Sequence, residues 1–290
     1  MKKQFRPLFT YAALVFAIFS VSAWQGDISA SGTGGARSRS ETVRILAVGN
    51  SFSEDAIDQY FHEICEAAGK RVIIGNLYIG GCPLERHLLN ARMDSAAYRF
   101  RRIGLDGKTI TADPVTLSSA LRSDQWDYVS FQQASNFSGL YDTYAPLKPL
   151  VAYVDSVTGS DRPRYMWHQT WAYSPSSTHG AFPNYGCDQK VMYDSIVAAG
   201  RRVMADLPSL SFIIPSGTAI QIAREKTGNP DLTRDGYHLD PLIGRYVAAC
   251  TWFEAIFGES VVGNPYYPEG LSPQEARVAQ EAAHAAVAKR

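Results

Sequence analysis

Five short apolar runs, each followed by enough chain to cross over and return, constrain this sequence more than any other feature. They are Arg44 to Val48, Arg71 to Ile79, Trp126 to Phe131, Arg164 to Trp167 and Ser211 to Ile214. Helical patterns separate them, notably a run from about Glu54 to Ala68, then Pro149 to Val157 and Gln189 to Leu207. A strand that is apolar along its whole length is covered on both faces, and strands joined through helices run parallel. The pattern therefore predicts an α/β fold, a five-stranded parallel sheet between two helical layers. One segment breaks the rhythm. Tyr98 to Ile103 and Lys108 to Thr111 flank an Asp106-Gly107 turn, which reads as a surface β-hairpin inserted between the second and third strands. Beyond the last strand, Pro241 to Phe257 reads as a buried helix and Ser272 to Ala288 as an alanine-rich closing helix.

The start of the chain is of a different kind. Met1 to Ala23 has a basic head (Lys2, Lys3, Arg6), an apolar stretch from Leu8 to Val21 and a small-residue exit, the pattern of a secretory signal peptide. That predicts a secreted or periplasmic protein with no stable membrane insertion once the leader is cleaved. Residues 24–42, rich in Gly, Ser and Arg, read as a flexible tether. Residues 43–290 suit one large domain. Without the leader's three basic residues, 25 basic side chains face 28 acidic ones. A near-neutral chain with no basic stripe is a poor partner for a phosphate backbone, so nucleic acid is not expected as a ligand.

Ligands of an open parallel sheet bind outside the carboxyl ends of its strands. Gly49-Asn50-Ser51-Phe52-Ser53 leaves the first strand there, so a glycine-flanked turn would expose a serine hydroxyl above the sheet. Near the other end of the chain, Asp235-Gly236-Tyr237-His238 places an aspartate three residues before a histidine, with a glycine that permits a tight bend. Asp235 can orient the His238 ring through Nδ1 and leave Nε2 free to take the proton of Ser51. Each half has a simpler reading by itself. Ser51 or Ser53 would cap the following helix, and Asp-Gly is an ordinary turn. Gly80-Gly81-Cys82 follows the second strand, Gln132 to Asn136 the third, and His168-Gln169-Thr170-Trp171 the fourth, so these segments share one end of the sheet.

With these segments in view, the chain resembles the SGNH (GDSL-like) hydrolases. Gly49 to Ser53, Leu77 to Cys82, Trp171-Ala172-Tyr173 and Arg234 to Leu239 are similar to a bacterial subfamily known as a domain of unknown function, DUF4886. The likeness covers most of residues 43 to 260. It implies a three-layer α/β/α sandwich with a flavodoxin-like sheet of order 2-1-3-4-5 and an esterase triad of Ser51, His238 and Asp235. It also implies an oxyanion hole made of the Ser51 backbone N–H, a second-block glycine N–H and a third-block side-chain amide. Gly81 best matches the glycine, with Gly80 as the alternative. Two departures stand out. Asn50 replaces the common aspartate, and the third block lacks Gly-x-Asn-Asp. Gln132-Gln133 is similar to the Gln-Gly-Glu form of sialate O-acetylesterase-like members, which points to Gln133 as the amide donor, with Gln132 and Asn136 as alternatives.

The remaining polar residues sort by pattern. His168, Gln169, Trp171 and Tyr173 form a cluster suited to a sugar face with hydroxyl contacts. His62, His87 and His284 fall on helical segments and read as surface residues, His87 alternatively as lining the cleft. Cys65 and Cys250 sit in apolar helical patterns as core residues. An exported chain could join one pair among Cys65, Cys82, Cys187 and Cys250, but no spacing selects it. No His, Cys and carboxylate spacing is zinc-like, so neither metal nor cofactor is expected. The expectation is a serine esterase acting on acyl esters, acetyl above all, of a small molecule or glycan. The alternatives are a glycan-binding protein that lost turnover and a hydrolase of another ester such as a lipid.

Overall fold

The computed structural model describes residues 42–290. The leader and all but the last residue of the tether lie outside the described residues. The strands are β1 (Thr42–Gly49), β2 (Arg71–Tyr78), β3 (Tyr98–Ile103), β4 (Thr109–Val115), β5 (Tyr128–Phe131), β6 (Arg164–His168) and β7 (Leu210–Ile214). They form one sheet in the order β4-β3-β2-β1-β5-β6-β7. β1 lies at the centre and pairs in parallel with β2 on one side and β5 on the other, Ala47 standing opposite both Asn76 and Ser130. Its Ile45 and Ala47 enter one apolar cluster, Leu46 and Val48 the other. That split is the two-residue repeat of a strand buried on both faces. The five parallel strands alone run β2-β1-β5-β6-β7, the expected flavodoxin-like order.

Helices complete the two outer layers. α1 (Ser51–Ile57) and α2 (Phe61–Ala67) pack on one face, where α7 (Ser216–Thr227), α8 (Ile243–Phe257) and α9 (Pro273–Val287) join them. α3 (Leu84–Arg92), α4 (Leu117–Arg122) and α5 (Leu147–Thr158) cover the other face. α6 (Gln189–Asp206) reaches both clusters, through Met192 and Ile196 on one side and Ala199 and Val203 on the other. Each fully buried large apolar side chain in these layers contributes about 1.5–3 kcal/mol.

Two local expectations change. The hairpin is not a separate surface feature: β3 pairs antiparallel with β2, Leu77 opposite Phe100, and carries the sheet two strands further. Its alternation explains this, because Tyr98 and Phe100 are buried while Arg99 faces solvent. The single helix expected from Glu54 to Ala68 is broken in two. Tyr60 adopts φ 68°, a left-handed backbone rare for a bulky residue. What it gains is tertiary. The Tyr60 hydroxyl donates to the Pro241 carbonyl at 2.6 Å, and its ring lies against Tyr246 and Tyr266.

The carboxyl ends of the parallel strands deliver Ser51, the Gly80-Gly81 turn, Gln132, Gln169 and Ser216 to one end of the sheet. The Asp235–His238 loop arrives between α7 and α8, closed at its base by a bridge between Thr233 and Leu239. Close packing at the start of α7 has a measurable consequence. The Gly217 N–H donates to the Gln169 carbonyl at 3.0 Å, and a Cβ at Gly217 would stand 2.0 Å from the Thr170 carbonyl oxygen. Backbone cannot step aside as a flexible side chain would. Gly217→Ala should therefore lower unfolding stability by about 3 kcal/mol, whereas Gly180→Ala, with open space around its Cβ, should stay within about 0.5 kcal/mol of wild type. Urea denaturation of both variants makes the comparison, and equal midpoints would contradict it.

Candidate active site

Asn50, not a serine, caps α1. Its Oδ1 accepts from the Phe52 N–H at 3.0 Å, and its Nδ2 donates to the Cys82 carbonyl at 3.1 Å. Ser53, read from sequence as a candidate cap, is instead buried inside the helix. Its hydroxyl lies 2.8 Å from the Asn50 carbonyl and 2.9 Å from Asn76 Oδ1. Gly49 makes room for it, since a Cβ there would sit 2.4 Å from Ser53 Oγ. With the cap supplied by Asn50, the Ser51 hydroxyl is free for another partner.

That partner is His238. Ser51 Oγ lies 2.9 Å from His238 Nε2, and His238 Nδ1 lies 2.6 Å from Asp235 Oδ2. The other oxygen of Asp235 accepts from the backbone N–H groups of His238, at 2.8 Å, and Tyr237, at 3.2 Å. Burial pushes the Asp235 carboxyl up, but the His238 ring and these N–H groups outweigh it and hold it below the ordinary aspartate value. Gly236 permits the bend at φ 92°, and a Cβ there would press on Ser177 at 3.0 Å. With Nδ1–H donating to Asp235, a neutral ring turns its Nε2 lone pair toward the serine O–H. This is the arrangement in which a serine can lose its proton as it attacks.

Candidate oxyanion donors separate cleanly. Gly81 adopts φ 61°, and among the described residues neither its N–H nor that of Ser51 donates to a protein group. Gln133, the expected amide donor, is spent elsewhere. Its Nε2 donates to the Thr143 carbonyl and hydroxyl at 3.1 and 3.0 Å, and its Oε1 accepts from the Leu84 and Ala134 N–H groups. Gln132 is also engaged, donating to Asn50 Oδ1 at 2.7 Å and facing His168 Nδ1 at 2.8 Å. Asn136 differs: it is half-buried, and its side-chain amide makes no hydrogen bond among the described residues. The adjoining Ser135 hydroxyl lies 3.0 Å from Tyr173 Oη. The Tyr173 ring meets Tyr237, the neighbour of His238.

The four residues expected to line a sugar face are all buried framework. His168 uses both ring nitrogens, Nδ1 on Gln132 and Nε2 on Ser216 Oγ at 3.1 Å. Gln169 Oε1 accepts from the Thr218 N–H and hydroxyl. Trp171 stacks on Phe52 at 4.3 Å and donates its Nε1–H to the Tyr237 carbonyl at 2.8 Å, so it ties the serine helix to the histidine loop. Tyr173 holds Ser135 as described. The reason is common to all four: polar groups sealed under loops must find partners, and here each finds one on a neighbouring strand end, loop or helix start. His62 and His87 also depart from the surface expectation. His62 lies beneath Gly107 at the hairpin tip, and His87 is buried against Tyr98, its Nδ1 3.1 Å from the phenol. His284 remains on the surface of α9, its Nδ1 2.6 Å from Glu254. All four cysteines are free thiols, with Cys65, Cys82 and Cys250 buried.

Sequence reasoning passed over His179. It stands in a loop without periodicity, yet its ring meets Tyr173 at 4.7 Å and Tyr237 at 4.8 Å, and Tyr237 in turn meets His238 at 4.2 Å. His179 Nδ1 accepts from the Ala181 N–H, which leaves Nε2 as its available edge. His179 and Tyr237 are both partly exposed, so they form the aromatic wall beside His238.

The family model described as "Domain of unknown function (DUF4886)" matches residues 44–286. The crystal structure of a DUF4886 family protein from Bacteroides uniformis is 48% identical, covering 86% of this chain and 95% of that one, with a TM-score of 0.83. A protein from Slackia heliotrinireducens, described provisionally as an SGNH hydrolase, is 20% identical over 74% of this chain and 98% of that one, with a TM-score of 0.49. An acetyl xylan esterase is 13% identical over 74% of this chain and all (100%) of its own, with a TM-score of 0.46. No match was found among curated proteins.

Burial gives His168 a pH signature. Desolvation pulls its pKa down to about 3, while in the unfolded chain it titrates near ~6.5. Below that value the unfolded state takes up a proton that the folded state refuses. The contribution of a neutral His168 is thus complete above about pH 6.5 and is lost as pH falls toward 3, at about 1.4 kcal/mol per pH unit. Replacing the ring in His168→Gln should flatten the wild-type fall in stability between pH 6.5 and 5 by that slope. Urea titrations at several pH values read it, and parallel pH profiles for the two proteins would contradict it.

Proposed function

The chain belongs to the DUF4886 family, and we propose that it is a metal-independent serine ester hydrolase that removes acyl groups, acetyl above all, from carbohydrate. One observation carries the reading: Ser51 Oγ, the His238 ring and the Asp235 carboxylate form an unbroken hydrogen-bonded chain at the carboxyl end of the sheet. In the proposed reaction Ser51 Oγ attacks the ester carbonyl carbon as its proton passes to His238 Nε2. Asp235 holds the resulting imidazolium in place. The negative oxygen that forms accepts from the N–H groups of Ser51 and Gly81 and from the side-chain amide of Asn136, the third-block amide free of protein partners. Collapse breaks the bond to the alcohol, which leaves with the proton from His238. Water then gives a proton to His238 and attacks the acyl-enzyme carbonyl. The second intermediate releases the carboxylic acid, and Ser51 recovers its proton.

The carbohydrate part of the proposal is supported by the partly exposed rings of Tyr237 and His179, set edge to face at 75°, an aromatic surface with a polar edge suited to a sugar ring. It is supported also by the likeness of Gln132-Gln133 to the Gln-Gly-Glu form of sialate O-acetylesterase-like proteins. The leader, Met1 to Ala23, supports a site of action outside the cytoplasm.

Hydrolysis of p-nitrophenyl acetate and labelling by a fluorophosphonate test the reading together. Ser51→Ala should abolish both, while Ser53→Ala should keep the label and lose about 1 kcal/mol of stability with its buried hydrogen bond. Asn136→Ala should lower kcat by about a hundredfold, the usual cost of one oxyanion donor. Gln133→Ala should lower stability and leave the kcat of the folded protein close to wild type. A wild-type protein that binds acetylated glycans and cleaves neither simple nor natural esters would overturn the proposal in favour of a binding protein.

A further inference from the structure

The hydrolase reading leaves one buried carboxylate unexplained. Asp55 lies on α1 one turn beyond Ser51, and its side chain is wholly removed from solvent. Arg234 Nη1 donates to both of its oxygens, at 3.0 and 3.1 Å, the Leu239 N–H donates to Oδ2 at 2.8 Å, and Arg245 Nη2 lies 2.6 Å from Oδ1. Arg234 and Leu239 are the residues immediately before Asp235 and immediately after His238. The same Arg234 nitrogen also donates to the Leu239 carbonyl, and the Arg234 N–H donates to the His238 carbonyl at 2.9 Å. Both ends of the acid–base loop are therefore fastened to one side chain on the helix that begins with the nucleophile.

From this geometry we propose that Asp55 is a positioning residue for the triad: it references the His238 loop to α1, so that Ser51 Oγ and His238 Nε2 move as one body. The inference rests on the hydrolase reading for its kinetic consequence but not for its structural one. Removing the Asp55 carboxylate and most of the Arg245 side chain from water is costly, and an apolar contact of similar volume would join helix to loop as firmly. What the carboxylate adds is direction. Its two oxygens face donors from two sides, which fixes rotation of the loop as well as its distance. Trp171 and Ser174 hold the middle of the same loop, through the Trp171 Nε1–H on the Tyr237 carbonyl and the Ser174 N–H on the Gly236 carbonyl, each at 2.8 Å, but neither bond reaches the two ends that Asp55 fastens.

The test is Asp55→Asn in the chain without its leader, kept well below its unfolding midpoint and shown to be folded by circular dichroism. An amide can still accept from the Leu239 N–H but turns donors toward the arginines. The expected result is a kcat for p-nitrophenyl acetate lowered about a hundredfold, the scale of a reacting group displaced by about an ångström. KM should stay within roughly threefold, because the substrate's own contacts are untouched. The proton on His238 Nδ1 supplies a second readout that needs no turnover: its low-field resonance should shift or broaden in Asp55→Asn. Should that variant fail to fold, Arg234→Gln, which removes a donor from the more exposed side of the network, should show the same fall in kcat at constant KM. A folded variant with wild-type kcat and an unmoved Nδ1 proton overturns the proposal, as does a loss expressed wholly in KM. If the wild-type protein cleaves no ester, the hydrolase reading falls, and the Nδ1 resonance alone still decides the role of Asp55.

Discussion

The Asn50 side chain is the joint on which the site depends. It caps α1, holds the Cys82 carbonyl beyond the Gly80-Gly81 turn, and receives the Gln132 amide from the end of β5. Three loops from three neighbouring strands are thereby fixed to the residue that precedes Ser51. A capping hydrogen bond is worth about 1 kcal/mol to a helix. Here it also decides chemistry, since a helix capped by Asn50 has no call on the Ser51 hydroxyl. An aspartate in this place could accept from the Phe52 N–H, but it could not donate to the Cys82 carbonyl as this amide does.

From Asn50 the polar network runs inward through Gln132 to His168 and Ser216. Each member's orientation follows from the last. Gln132 donates to Asn50, so its oxygen faces His168 Nδ1, and the other ring nitrogen is left to accept from Ser216. Such a network is stabilising only when fully satisfied, because an unpaired polar group in a low-dielectric interior costs more than a hydrogen bond returns. Desolvation keeps the His168 ring neutral. The end of the sheet is thus a rigid floor, and the side chains left partly exposed above it are Ser51, His238, Asn136, Tyr237 and His179.

Rigidity at the floor is matched by attachment of the loop that crosses it. Trp171 stacks on Phe52 and holds the Tyr237 carbonyl, and the Arg234, Arg245 and Leu239 donors converge on Asp55 from the other side. Residues nearly two hundred positions apart are brought within hydrogen-bonding reach through α1 itself. The left-handed break at Tyr60 belongs to the same scheme. It starts α2 in a new direction three residues after α1 ends, and the Tyr60 hydroxyl then secures Pro241 at the entrance to α8, just past the histidine loop.

The strand order was implied by the resemblance to SGNH hydrolases; by itself the sequence determined the parallel sheet and the pairing of Ser51 with the Asp235–His238 loop. These follow from patterns that are local: apolar runs of strand length, a glycine-flanked serine after a strand, and an aspartate three residues before a histidine. Only the tertiary structure decided which polar side chains face the cleft and which face one another. Gln133 and Asn136 lie three residues apart in the same loop, but the partners that consume the Gln133 side chain, Leu84 and Thr143, come from elsewhere in the chain. His168 and Trp171 look like ligand contacts until Ser216 and Tyr237 arrive to occupy them. His179 carries no local pattern and gains its place from the rings of Tyr173 and Tyr237. The hydrogen-bonding capacity of a side chain is written in its residue type, but its partner is set by the packing of distant segments, and that partner decides whether the group remains free for a substrate.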